Sequence, residues 1–236
     1  QFREGRAAVS IVRGDGARGD ALIALDGAMV VTPEAGLQLG APSDGYVCAK
    51  ELSSGRWGYL ALDGSWAITP RFTGAGSFRE GRAVVCAGDL DGGVNLVIDR
   101  DGKERARSMH YLATPSFSDG LVLIPTDPRD SFAKAFVDRE GETVLAPNRL
   151  HWGPMCEGRA RVRSQAGFEG FIDRAGSVVV PPVLLDAADF DRGLARARPL
   201  PKRPAAWGYL TRDGGWAWPL DALEQGFFSM NDARAG

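Results

Sequence analysis

Arg159, Arg161 and Arg163 alternate along one β-prone run, and Arg196 and Arg198 recur at matching positions of a second run. Side chains on a strand alternate between faces with period two. Arg161 and Arg163 lie three and five residues after Gly158, and Arg196 and Arg198 lie three and five after Gly193, so all four have the same parity. If the two runs are neighbouring strands in register, Arg161, Arg163, Arg196 and Arg198 form a cationic patch. Such a patch binds carboxylates or phosphates through paired N–H donors. The competing reading is a solvated face neutralised by nearby acids. These four arginines are the candidate binding residues.

Other chemistry is sparse. The two histidines, His110 and His151, stand in no metal-ligating spacing, and no phosphate-binding or nucleophile-elbow motif is present. Cys156 and His151 could form a nucleophilic dyad, but no orienting acid is identifiable. The three cysteines, Cys48, Cys86 and Cys156, are odd in number and include no Cys-x-x-Cys spacing, which argues for small buried side chains rather than a disulfide framework or zinc site. Asp99 with Asp101, or Asp138 with Glu140, could suggest calcium. Acids that recur at tight turns instead bond nearby backbone N–H groups. No cofactor, metal or catalytic residue is expected.

The composition is that of an ordinary globular chain of 236 residues, with 44% hydrophobic residues and a net charge of −2. Nothing steers it toward nucleic acid, which calls for net positive charge and interleaved stacking aromatics. No apolar stretch approaches the roughly 20 residues needed to span a bilayer as a helix. The chain opens Gln-Phe-Arg without an initiator Met, so a fragment or processed product is expected. The compartment stays open, with the cytoplasm slightly favoured and periplasmic or secreted placement possible.

Self-similarity dominates the sequence. The motif aromatic-x-acid-Gly-Arg-Ala appears as Phe2–Ala7 and Phe78–Ala83, and again with Met155 leading Cys156-Glu157-Gly158-Arg159-Ala160. Weaker copies centre on Gly45, Gly120 and Gly193, and a truncated one ends the chain at Met230–Ala235. Counted from Gly5 through Ala233, successive copies are 35 to 40 residues apart. Between them falls a second glycine (Gly27, Gly64, Gly102, Gly141, Gly176 and Gly214), directly preceded in four copies by Asp26, Asp63, Asp101 or Asp213. Asp-Gly between apolar runs is a strong hairpin signal.

Each unit therefore reads as three strands. Strand A follows the Glu-Gly-Arg motif, a variable loop leads to strand B, and the Asp-Gly turn leads to strand C. Prolines at 33, 70, 147, 181 and 219 are expected to end strand C, because proline lacks the ladder N–H. About ten residues then join unit to unit, long enough to hide a fourth strand. Small apolar residues stand two and four after the motif glycine in every unit, from Ala7 and Val9 to Ala195 and Ala197. That face of strand A must pack tightly, against the neighbouring unit. Trp57 and Trp207 occupy equivalent positions, while Trp66, Trp216 and Trp218 lie on strand C; packing between units is expected, and a stacking surface for sugars is the rival reading.

The run Trp57-Gly58-Tyr59-Leu60, Gly64, Ala67-Ile68-Thr69-Pro70, then Phe78-Arg79-Glu80-Gly81-Arg82-Ala83 resembles the bacterial WG-repeat family. Trp207-Gly208-Tyr209-Leu210 repeats its namesake. Glu169-Gly170-Phe171-Ile172 lacks only the Trp, and Asp20, Asn95 and Lys134 fill the other Trp positions. Trp152-Gly153 is out of register. The resemblance implies a tandem β-repeat with ligand- or protein-binding roles and carries no catalytic residues.

The expected fold is all-β: six tandem three-stranded antiparallel units forming an open superhelix or solenoid, with a closed six- or seven-bladed propeller as the alternative. One repeat domain over 1–236 comprises units at 1–40, 41–76, 77–115, 116–153, 154–188 and 189–227, with a partial seventh at 228–236. Constant strands with divergent loops point to a protein-interaction scaffold, one version of which binds a bacterial toxin or effector. The alternatives are a carbohydrate- or envelope-binding domain and, third, an enzyme.

Overall fold

Alternating apolar runs broken by acid-Gly pairs give antiparallel meanders throughout the chain. The computed structural model describes residues 1–88, 93–108, 115–127, 129–130, 133–146, 150–200 and 207–218. His110, residues 89–91, Pro128, Pro147, residues 201–204, Pro219 and the truncated seventh motif lie outside them. The fold is all-β; among the described residues there is no α-helix, and the one helical turn is a 3-10 turn at Pro33–Ala35. Two compact units divide the chain, Gln1–Val144 and Leu145–Gly236.

In the first unit the strands are β1 (Arg6–Val12), β2 (Arg18–Ala24) and β3 (Met29–Val31); β4 (Leu37–Leu39), β5 (Tyr46–Glu51), β6 (Trp57–Ala61) and β7 (Trp66–Phe72); β8 (Gly74–Ala75), β9 (Ala83–Ala87), β10 (Val94–Ile98) and β11 (Glu104–Ser108); then β12 (Leu121–Pro125), β13 (Lys134–Asp138) and β14 (Thr143–Leu145). Each group is one sheet in sequence order. The second unit holds one seven-stranded sheet: β15 (His151–Cys156), β16 (Arg159–Arg163), β17 (Glu169–Asp173), β18 (Val178–Ala187), β19 (Leu194–Pro199), β20 (Gly208–Thr211) and β21 (Trp216–Trp218).

The linker does contain a fourth strand. β4, β8 and β15 each pair antiparallel with the strand A that follows, with Leu37 opposite Glu51, Gly74 opposite Cys86 and His151 opposite Arg163. β18 fulfils both roles in one ten-residue strand, pairing with β17 before it and β19 after it. Trp152 therefore belongs to a linker strand, which is why its Trp-Gly pair is out of register.

The prolines correct an expectation. Pro70 and Pro181 sit inside β7 and β18 rather than ending them. Opposite Trp57 and Tyr59 stand Phe72 and Ile68, so the partner strand carries two extra residues; the same irregularity sets Leu184 and Val180 opposite Glu169 and Phe171. A bulge leaves a residue unpaired, which is where a proline is tolerated within a sheet. The bulged backbone presses on the neighbouring strand. A Cβ at Gly58 would lie 2.4 Å from the carbonyl oxygen of Ile68, and one at Gly170 2.4 Å from that of Val180. The glycine after the Trp position is thus fixed by close backbone approach.

The hydrophobic cores lie between successive repeats. Val47 and Ala49 of β5 pack with Leu22 and Val31 of the preceding sheet, and Ala83 and Val85 of β9 pack with Tyr59, Ile68 and Phe72. In the second unit Ala195 and Ala197 meet Phe171, Val180 and Leu184. The small ladder expected on strand A is the surface on which one repeat stacks upon the last.

Candidate functional site

Two turn types close each meander at the same end. At all six motif glycines the preceding residue (Glu4, Asp44, Glu80, Asp119, Glu157 or Arg192) has φ between 51° and 56°, and the glycine is also positive. Positive φ at both central residues defines the two-residue type I′ hairpin turn, whose twist matches that of its strands. A side-chain-bearing residue there is uncommon and strained. The second turn differs from the Asp-Gly pair expected. Gly27 N–H donates to Ala24 O and Ala24 N–H to Ala28 O, a three-residue loop in which Gly27 is left-handed and Asp26 is not. Asp26 instead accepts the N–H of Ala28, and Asp138 and Asp173 each accept two backbone N–H groups of their own turns.

What holds Glu4 in a strained position is the next repeat. Its carboxylate accepts the N–H groups of Asp44 and Gly45, each at 2.8 Å. Asp44 in turn accepts Gly81 N–H at 2.6 Å, Glu80 accepts Gly120 N–H at 2.7 Å, and Glu157 accepts Gly193 N–H at 2.7 Å. Arg100 pairs with Asp44 at 2.5 Å and Arg139 with Glu80 at 2.8 Å. The arginine of the motif completes the clamp. Arg6 Nε donates to Leu62 O, Arg82 Nε to Arg139 O and Arg159 Nε to Arg212 O, each acceptor lying two residues before the turn glycine of the next repeat. Where Tyr46 replaces the arginine, its hydroxyl donates to Arg100 O, the same position. Glu-Gly-Arg is therefore a clamp between repeats. The N–H groups that its Glu accepts belong not to its own turn but to the following one, some 40 residues on.

The arginines are not on neighbouring strands. β16 and β19 belong to one sheet but are separated by β17 and β18, which corrects the arrangement assumed for the patch. The structure also divides the four into two dissimilar sites. Arg161 is half-buried and makes ion pairs with Glu169 at 3.1 Å and Asp189 at 3.2 Å, and donates to Ala187 O at 3.0 Å. Glu169 is buried, and its other oxygen accepts Ala187 N–H at 2.6 Å. Burial disfavours the Arg161 charge, but the two carboxylates outweigh it and raise its pKa. Arg163 is exposed and donates to Gly167 O. In the sixth repeat, the guanidinium carbons of Arg196 and Arg198 lie 4.2 and 5.5 Å from the Trp207 ring centroid. Glu169 and Trp207 occupy the same position of their repeats, so one site is an ion pair and the other a cation–π stack.

The candidates for nucleophilic and metal chemistry are dispersed. His151 and Cys156 lie at opposite ends of β15, roughly 15 Å apart at strand rise. Cys48 and Cys86 are buried, and burial pushes the Cys48 thiol up to about 11, away from thiolate chemistry. Asp99 is occupied by the N–H groups of Asp101 and Lys103 and by Arg105. Among the described residues no three His, Cys, Asp or Glu side chains gather to hold a metal ion. No helix among them is long and apolar enough to cross a membrane. Trp152 is buried and Trp57 and Trp66 are partly buried against the inter-repeat cores, in keeping with a packing role.

Serial meanders, clamped turn to turn, define a tandem β-repeat protein. Residues 57–90 and 170–198 match the family described as WG containing repeat. No curated protein matches the sequence. Among solved structures, it is similar to a KlHsv2 variant with loop 6CD replaced by a Gly-Ser linker (12% identity, TM-score 0.47, covering 87% of this chain and 81% of that one). It is also similar to AztD from Citrobacter koseri (15%, 0.46, 92% and 68%) and to the WD40 beta propeller domain of Doa1 (14%, 0.41, 90% and 78%).

Proposed function

We propose that the chain is a non-enzymatic protein-interaction scaffold that engages its partner through the loops joining strands A and B. One observation carries this reading: the two ends of each meander are built differently. The Glu-Gly and Gly-turn end is committed to clamping repeat to repeat and is nearly invariant in geometry. The opposite end carries loops that differ in every repeat, and the described ones are exposed at Gly14–Arg18, Leu52–Gly55 and Gln165–Ala166. A rigid frame with divergent loops at one end is how specificity is varied without disturbing a fold.

A bacterial toxin or effector is one version of such a partner. The test is co-purification with candidate effectors encoded beside the gene. Replacing 13–17, 52–56 and 164–168 with Gly-Ser should abolish capture while the β-type circular dichroism spectrum is kept. Equal capture by the loop-replaced chain overturns the reading. The carbohydrate alternative would draw on Tyr209 and Trp216, each just over one-third exposed. Trp216 pairs across the strands with Leu210 rather than with Tyr209, so the two rings do not form one cross-strand platform. The non-enzymatic part is tested separately: substituting both histidines and all three cysteines should leave the biological activity intact in a folded chain, and its loss on His151→Asn alone would point to an enzyme.

A further inference from the structure

The fifth and sixth repeats pose the same electrostatic problem and solve it differently. In both, strand A presents two arginines three and five residues after the motif glycine: Arg161 and Arg163, then Arg196 and Arg198. In the fifth repeat Glu169 and Asp189 meet this charge from within the chain. In the sixth, Trp207 replaces the glutamate. Its ring attracts cations but carries no charge to cancel theirs. Among the described residues neither Arg196 nor Arg198 has an ion-pair partner, and the Nε of Arg198 is buried without a hydrogen-bond partner. Asp186 stands opposite Arg198 in the ladder without reaching it as an ion pair, and even if counted it leaves one positive charge in excess.

We propose that Arg196, Arg198 and Trp207 form a receptor for a carboxylate of the protein partner, an acidic side chain supplied from outside where Glu169 supplies one from inside. The proposal rests on the protein-scaffold reading and specifies the chemistry of the partner. The fifth repeat is its internal template: there, the ligand that completes the equivalent arginine is a carboxylate, held at 3.1 Å. The stack on Trp207 restricts both guanidinium groups in advance, so less freedom is lost when the anion arrives. Arg196 is exposed, so its N–H donors can meet a carboxylate that arrives from outside.

The experiment is a calorimetric titration of the chain with an N-acetylated tetraglutamate peptide, with the tetraglutamine peptide and inorganic phosphate as separate arms. Saturable binding of tetraglutamate is expected, weakened as salt is raised and absent with tetraglutamine. Arg196→Gln should weaken it at least tenfold, whereas Arg163→Gln in the fifth repeat should leave it unchanged. Trp207→Glu installs the internal carboxylate and should abolish binding; Arg196→Gln keeps the test decisive if that variant fails to fold. Equal binding by the Arg196→Gln chain overturns the proposal, as does displacement of the peptide by equimolar phosphate, which would mark a general anion site. Failure of tetraglutamate to bind also overturns it. The scaffold reading then stands or falls separately on the loop-replacement capture.

Discussion

The carboxylate of Glu4 bonds the backbone N–H groups of Asp44 and Gly45, so a residue strained in its own turn fastens the turn of the next repeat. Removing it should be felt at the recipient. Glu4→Ala is expected to cost about 1–2 kcal/mol, since two N–H groups lose a charged acceptor while the positive φ remains. Glu4→Gly should cost less because glycine relieves that φ. Amide hydrogen exchange at Asp44 and Gly45 should accelerate in both variants. Unchanged exchange would show that the clamp carries no free energy.

Two glycines should respond differently to the same methyl group. Gly5→Ala meets open space and suffers only from φ +75°, so a loss of about 1 kcal/mol is expected. Gly58→Ala forces a Cβ against the carbonyl of Ile68 at 2.4 Å and the nitrogen of Pro70 at 2.8 Å, where backbone must move. About 2–4 kcal/mol is expected, read from urea unfolding followed by the fluorescence of the nearby tryptophans.

Within the fifth repeat, Glu169→Ala should destabilise by about 2–4 kcal/mol. It strips a half-buried arginine of one counter-charge and leaves Ala187 N–H without its acceptor. Arg163→Ala, on the same strand but exposed, should change stability by under about 0.5 kcal/mol. Comparable losses from both would mean that the Arg161–Glu169 pair is no more than a surface contact.

Acid should loosen the turns through Asp99. Its burial raises the carboxyl pKa, but the N–H groups of Lys103 and Asp101 and the Arg105 guanidinium outweigh this and hold it below the ordinary value of 3.8. A depressed folded pKa contributes stability that is fully present above the unfolded value and is lost as pH falls through the folded one. Asp99→Asn should therefore be less stable at neutral pH and should show a flatter decline below pH 3.8. Parallel acid-unfolding curves for wild type and variant would assign the acid sensitivity to other groups.

Much of this molecule is legible in its sequence because a repeat states the same local rule many times. The strand faces follow from parity, and the buried ladder from Ala7 to Ala197 lies where small apolar residues recur. The turns follow from glycine spacing, although Asp26 accepts a hydrogen bond instead of adopting positive φ. What the sequence could not fix depends on stacking. The partner of Glu4 lies some 40 residues away because the next repeat brings its turn N–H groups there. Pro70 is inside a strand because a bulge against Gly58 leaves it no ladder bond to make. The arginines share a parity, which local pattern determines. Their separation by two strands, and the pairing of Arg161 with carboxylates where Arg196 stacks on Trp207, were decided by sheet order and by the packing of one repeat on another.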